Sequence, residues 1–160
     1  MSGMMFQVQA VSLDDWEAWL AMRGRLWPAP PGAHRAETAG YFETGRIGDL
    51  VHGVLMARLD GVPVGFAEVS HSPGGGAGSG NAHLEGWYVE ASHRGRGAGR
   101  ALVEACATWA AARGCERLTS DTTAEYEAGS APAHLACGFV EGPARLVDGE
   151  FARWFSMRVK

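Results

Sequence analysis

The chain has 160 residues, 46% of them apolar and 20% charged, and a formal charge of −4, the balance of a single domain over residues 1–160 with a buried core. No basic run marks a nucleic-acid footprint, no apolar stretch approaches the roughly 20 residues of a membrane-spanning helix, and Met1–Met5 lacks a signal-peptide core. Cys106, Cys115 and Cys137 form no CxxC pair and the six histidines show no HxxxH spacing on a credible helix, so the expectation is a cytoplasmic protein with no metal, no disulfide framework, no membrane and no nucleic-acid partner.

Phe6–Val11 alternates apolar and polar residues and reads as a first strand. Ser12 with Asp15 three positions on is a capping-box pattern opening a helix, whose apolar face carries Trp16, Trp19, Leu20 and Met22/Arg23 and which ends near Leu26-Trp27-Pro28. Pro28-Ala29-Pro30-Pro31-Gly32 is a loop, and a second helix is expected over Ala33–Thr44 with Gly45 as its stop. Val51–Leu59 and Val62–Ser70 are strands joined by Asp60-Gly61, a hairpin signal. The Gly- and Ser-rich Ser72–Ala82 reads as a flexible hairpin loop, after which His83–Glu90 resumes as strand. Gly97–Arg113 is helical, with Leu102, Ala105, Cys106 and Trp109 on one face and Gly114 as the stop. Arg117–Asp121 is a short strand, Ser130–Cys137 a short helix, and Phe139–Val147 with Phe151–Val159 a closing pair of strands. The order βααβββαβαββ implies α+β or α/β architecture, a mixed sheet with helices on both faces.

The most informative segment is Leu84-Glu85-Gly86-Trp87-Tyr88-Val89 followed by Arg94-Gly95-Arg96-Gly97-Ala98-Gly99-Arg100 and a long helix. A glycine-rich turn entering a helix aims several backbone N–H groups and the positive end of the helix dipole at one point, a setting for a phosphate or pyrophosphate. Gly97 and Gly99 admit the anion closely, and Arg94, Arg96 and Arg100 add charge. The same spacing also serves a bare strand-to-helix turn. A dinucleotide fingerprint is a poor fit, since the glycines fall as GxGxG, and a Walker A loop lacks its Gly-Lys-Ser/Thr.

Arg94-Gly95-Arg96-Gly97-Ala98-Gly99 resembles the R/Q-x-x-G-x-G/A motif of the GNAT superfamily of N-acetyltransferases. Further segments resemble the bacterial aminoglycoside 6'-N-acetyltransferases: Arg25-Leu26-Trp27-Pro28, Gly65-Phe66-Ala67, Leu84-Glu85-Gly86, Gly114-Cys115, Ser120-Asp121-Thr122 and His134-Leu135-Ala136-Cys137-Gly138-Phe139-Val140-Glu141. The resemblance implies a GNAT-like fold with a central mixed, mostly antiparallel sheet. In that fold the strands over 83–90 and 117–121 splay apart to admit the pantetheine arm of acetyl-CoA, which pairs with the backbone of Trp87, Tyr88 and Val89. It implies a small-molecule amine acceptor, here a polycationic aminoglycoside acetylated at its 6'-amino group, and a homodimer, for which the apolar 151–159 segment is a candidate contact.

Amide formation needs a neutral amine, so a proton must leave the acceptor ammonium. The resemblance points to Glu85 and Asp121 for that role, which they share with binding the amine; otherwise Glu85 is a solvated strand residue and Asp121 an N-cap or turn residue before Thr122. A backbone N–H near Tyr88 or Val89 is the expected oxyanion donor. Where many superfamily members carry a tyrosine acid, four residues before the Gly-Phe pair, this chain has His134; it stands either as the acid that protonates the leaving thiolate or as a packing or cofactor-contact residue. Trp27 is expected as an apolar wall for a sugar ring or as a core residue, and Glu125 with Glu127 as a loop extension of an acidic pocket or as solvated loop charge. The 72–82 loop is nearly bare of side chains where the related enzymes often carry polar and aromatic residues.

Overall fold

Successive residues along the central strands point to opposite faces, and both faces are covered. The computed structural model describes residues 5–71, 80–123 and 127–159. Its strands are β1 (Gln7–Ala10), β2 (Arg46–Ile47), β3 (Leu50–Leu59), β4 (Val62–His71), β5 (Asn81–Val89), β6 (Arg117–Thr122), β7 (Val140–Val147) and β8 (Glu150–Arg158). Its helices are α1 (Trp16–Leu26), α2 (Ala33–Thr38), α3 (Tyr41–Thr44), α4 (Ala98–Ala112) and α5 (Glu127–Ala136). The eight-stranded sheet runs β1-β3-β4-β5-β6-β8-β7 with β2 on β3; every pairing is antiparallel except β5 with β6.

Leu55, Ala57 and Ala67 face a core with Leu102, Val103 and Cys106 of α4 and Ala131 of α5. Val54, Met56 and Phe66 face a second core with Trp19 and Met22 of α1. Each fully buried side chain such as Leu102 or Phe66 contributes about 1.5–3 kcal/mol. Because β3 and β4 are covered on both sides, they read as unbroken apolar runs rather than as alternating ones.

The local signals act as expected in several places. Ser12 N–H donates to Asp15 Oδ2 at 2.8 Å in the capping box, and Asp60 (φ 51°) with Gly61 (φ 80°) turns the β3–β4 hairpin in the left-handed region. Four expectations are corrected. The helix over Ala33–Thr44 is two short helices interrupted at Ala39-Gly40, where glycine's backbone freedom weakens helical continuity. The strand expected from His83 begins at Asn81, because Asn81 and Ala82 pair with Arg117 and Leu118 of β6. The helix expected from Ser130 begins at Glu127, so Glu127 is helical rather than in a loop, with Pro132 inside the helix. The two-residue β2 was not anticipated; it exists through pairing with β3. Residues 72–79 of the Gly/Ser segment, and Glu125, lie outside the described residues.

Candidate functional site

β5 and β6 are joined only at Asn81, Ala82 and His83, opposite Arg117, Leu118 and Thr119. From Leu84 onward β5 keeps its β4 partner as far as Val89 opposite Gly65, but among the described residues no strand pairs with its other edge. A cavity of about 640 Å³ occupies this divergence, walled by Leu84–Val89 on one side and Ser120–Thr123 with Ser130, Ala133 and His134 on the other. Between β4 and β5 the register slips: Val69 stands opposite Leu84 and Glu68 opposite Gly86. Glu85 is the extra residue of this β-bulge, a device that re-aims a side chain.

At the end of β5 the glycine turn leads into α4. Gly95 (φ 74°) and Gly97 (φ 102°) both adopt left-handed backbone, and Gly97 is the residue that caps α4; space is not the reason, since a Cβ on either would meet nothing within 4 Å. The Trp87 indole donates to Gly99 O at 3.1 Å, fastening β5 to the first turn of α4. Arg94 Nε donates to Val89 O at 2.8 Å, and its guanidinium lies 5.6 Å from the Tyr88 ring centre. Arg94, Gly95 and Gly99 line the cavity together with Trp87, Tyr88 and Val89. Arg96 is exposed, Arg100 donates to the Ala136 carbonyl of α5, and Ala98 is buried in the α4 core, so these and Gly97 are not among the cavity walls.

Each wall carries a carboxylate. Glu85 is exposed on β5, and its Oε2 accepts from the Ser70 hydroxyl at 2.6 Å. Asp121, half-buried on β6, accepts from His83 Nε2 at 3.1 Å. Trp27, half-buried at the end of α1, lies over Gly86: a Cβ there would stand 2.5 Å from the edge of the indole. Trp27 and Glu85 also line a second cavity of about 500 Å³, with His34, Glu37 and Glu68. There the buried Arg23 donates to Glu68 at 2.7 Å and to Glu37 at 3.0 Å, and Trp19 Nε1 donates to Glu68 at 3.0 Å. The Arg23 guanidinium holds the Glu37 carboxyl below its usual range.

His134 is buried beneath the first cavity. Its Nδ1 donates to Ser130 O at 2.7 Å, its Nε2 accepts from the Ser120 hydroxyl at 2.7 Å, and its ring stacks on Phe155 at 4.4 Å. Burial holds the imidazole below its ordinary value. A neutral ring with both nitrogens engaged is suited to packing and to holding Ser120. Cys106 and Cys137 are poor nucleophiles: burial pushes Cys106 up to about 12 and raises Cys137. Among the described residues no group of three His, Cys, Asp or Glu side chains converges as a metal site, and no helix is long and apolar enough to cross a membrane.

The structure therefore gathers Glu85, Asp121, His134, Trp27 and the β5 backbone around one cleft. Sequence reasoning missed His83, Ser70, Glu68 and Trp154. The signal for His83 was period 2: His83 and Glu85 share one face of β5, as Thr119 and Asp121 share one face of β6.

The family model described as Acetyltransferase (GNAT) family matches residues 16–139. An aminoglycoside N(6')-acetyltransferase type 1 of Klebsiella aerogenes is 40% identical over 136 residues, 84% of this chain and 89% of the relative. One of Stenotrophomonas maltophilia is 38% identical over 131 residues, 79% of this chain and 81% of the relative. The solved structure of AAC(6')-Iy in complex with the bisubstrate analog CoA-S-monomethyl-acetylneamine matches with a TM-score of 0.75 at 31% identity, covering 89% of this chain and 95% of that one. A Salmonella typhimurium acetyltransferase solved with acetyl-CoA shares the fold, with a TM-score of 0.75 at 14% identity over 98% of this chain and 95% of that one.

Proposed function

The chain belongs to the acetyltransferase (GNAT) family, and from that premise we propose that it transfers the acetyl group of acetyl-CoA to the 6'-amino group of an aminoglycoside. The observation that carries this reading is one cleft with two chemically different walls. One is a backbone surface, where the edge of β5 left open by β6 runs into a glycine turn at a helix N-terminus; the other is a side-chain surface, with Glu85 of β5 and Asp121 of β6. The first wall fits an extended pantetheine arm and its pyrophosphate, through backbone donors of Trp87–Val89 and of the Arg94–Arg100 turn. The second fits a polycation, extended by Glu37 and Glu68 around the adjoining cavity with Trp27 as the apolar wall between the two. Glu125 is proposed to bind the acceptor as well.

Glu85 and Asp121 receive the acceptor as an ammonium and draw off one proton, directly or through water. The neutral amine then forms its C–N bond at the thioester carbonyl. The N–H of Tyr88 or Val89 supports the oxyanion. As the oxyanion collapses the C–S bond breaks and the sulfur leaves with the electron pair, taking up the proton that the new amide nitrogen gives away. We assign His134 to holding Ser120 rather than to protonating sulfur, since its one proton is engaged by Ser130. The same reading places the protein in the cytoplasm as one acetyltransferase domain over residues 1–160. It also makes the protein a homodimer through the β7–β8 hairpin, where Val140, Leu146 and Phe151 are exposed.

The test is thiol release from acetyl-CoA with a panel of aminoglycosides, polyamines and peptides, with mass spectrometry of the products. Compounds with a 6'-amine are expected to turn over and their 6'-hydroxyl analogues to give little N-acetyl product. Acetylation at another ring position, or of a peptide alone, refutes the acceptor assignment.

A further inference from the structure

On the reading that Asp121 receives the acceptor amine, we propose that His83 is the positioning residue that fixes the Asp121 carboxylate in the cleft. His83 is the last residue of β5 paired with β6, opposite Thr119. Asp121 lies two residues further along β6, where β5 no longer supports that strand. The imidazole spans this step. Nδ1 meets Thr119 Oγ1 at 2.8 Å, Nε2 meets Asp121 Oδ1 at 3.1 Å, and Trp154, opposite Asp121 on β8, stacks on the ring at 5.2 Å and 25°.

Hydrogen-bond accounting fixes the direction. An ionised carboxylate only accepts, so Nε2 carries the proton that bonds Asp121. The Thr119 hydroxyl has two acceptors in reach, Nδ1 at 2.8 Å and Ala82 O at 3.1 Å. With a neutral ring the hydroxyl donates to Nδ1. With an imidazolium, Nδ1–H donates to Thr119 and the hydroxyl turns to Ala82 O. The Nε2–H bond to Asp121 persists in both states, because Thr119 absorbs the change. His83 itself is not among the cavity walls, whereas Asp121 is. The ring therefore acts through the carboxylate, engaging one oxygen and leaving the other for the ammonium. A supporting group locked by packing and hydrogen bonds is what keeps a site residue in productive geometry.

The experiment combines a double-mutant cycle with a tautomer measurement on the full chain. His83→Phe keeps the stack on Trp154 and removes both hydrogen bonds; Asp121→Ala removes the group being positioned. In steady-state assays with a 6'-amino aminoglycoside, His83→Phe is expected to lower kcat/KM at least tenfold in the wild-type background and to cost nothing further in Asp121→Ala. Equal losses in the two backgrounds, or no loss in the wild type, overturn the proposal. Two-bond ¹H–¹⁵N correlation spectra of the unsubstituted protein are expected to show a proton on His83 Nε2. A ring protonated at Nδ1 alone overturns the proposal without reference to activity. If the wild-type protein acetylates no amine, the acetyl-transfer reading fails, and the Nε2 proton still decides the His83–Asp121 bond.

Discussion

Gly86 has no side chain, and the Trp27 indole, which borders both cavities, occupies the space where one would stand. In Gly86→Ala the new Cβ would stand 2.5 Å from Trp27 Cη2 and 2.9 Å from Cζ2, whereas ordinary contact begins at 3.4 Å, so the indole must retreat by about 0.9 Å (3.4 minus 2.5). It has little freedom to do so in place. The Arg23 guanidinium sits 5.0 Å from its ring centre, and Arg23 is clamped by Glu68 and Glu37. His34 Nε2 holds the Trp27 carbonyl at 2.6 Å. The ring must therefore swing into one of the cavities it divides. A misplacement of about 1 Å in a positioning group costs up to about 10²-fold in rate, so kcat/KM for a 6'-amino aminoglycoside is expected to fall by about 10- to 100-fold, or about 1.4–2.7 kcal/mol. The accompanying overpacking should cost about 1–3 kcal/mol of stability, read from denaturant midpoints. CoA affinity by calorimetry should move little, because the pyrophosphate turn lies beyond β5. A folded Gly86→Ala protein with wild-type kcat/KM refutes the reasoning; so does an undiminished loss when the same change is made in a Trp27→Ala protein, which has no indole to displace.

Gly97→Val is expected to weaken CoA binding at least tenfold, about 1.4 kcal/mol, because φ of 102° strains any side chain and the branched group enters the anion's space; unchanged affinity by calorimetry in a folded variant contradicts the cofactor turn. Glu85→Gln and Asp121→Asn should each lower kcat/KM by roughly 10² with CoA affinity retained, and full activity in both variants would remove the proposed deprotonation. Glu68→Gln breaks the buried pair with Arg23 and should cost about 3 kcal/mol of stability in urea titrations; a loss below about 1 kcal/mol would show the pair to be expendable. Burial holds His134 below its ordinary 6.5, so its contribution is fully present above pH 6.5 and is lost as pH falls, when the unfolded chain binds the proton first. The urea midpoint should therefore drop between pH 7.5 and 5.5, and a flat response would contradict a buried neutral ring.

The features legible in the sequence are those encoded locally. Ser12 and Asp15 announced α1, Asp60-Gly61 the hairpin and Gly97 with Gly114 the limits of α4, since capping and left-handed backbone depend on a few neighbouring residues. What escaped was decided by partners far along the chain. Asp15 also pairs with Arg58, and Asn81 becomes strand through Arg117. The capping carboxylate and the end of a glycine-rich run carry no mark of either. The break at Gly40 was local but ambiguous, because an isolated glycine inside a helical pattern is often tolerated.

The same division runs through the candidate site. The cofactor wall is made of backbone, so a contiguous glycine pattern discloses it: the residues that open the turn are consecutive, and their conformation needs no distant partner. The acceptor wall is made of side chains from α1, β4, β5 and β6, each meaningful only in register with the others. Glu85 was visible as a carboxylate beside the cofactor strand, but the slip that re-aims it lies between Glu68 and Val69 on the neighbouring strand. Asp121 was visible after a short strand, but its anchor, His83, comes from the end of a parallel pairing that no single segment encodes. Trp27 was visible before a proline loop, yet its position over the cleft depends on the missing side chain at Gly86. On the proposed function, acceptor choice thus resides in long-range register and cofactor choice in local turn chemistry. Substitutions confined to Trp27, Glu37, Glu68 and the other residues around the second cavity can therefore change the amine while the Arg94–Arg100 turn, and with it the acetyl donor, stays the same.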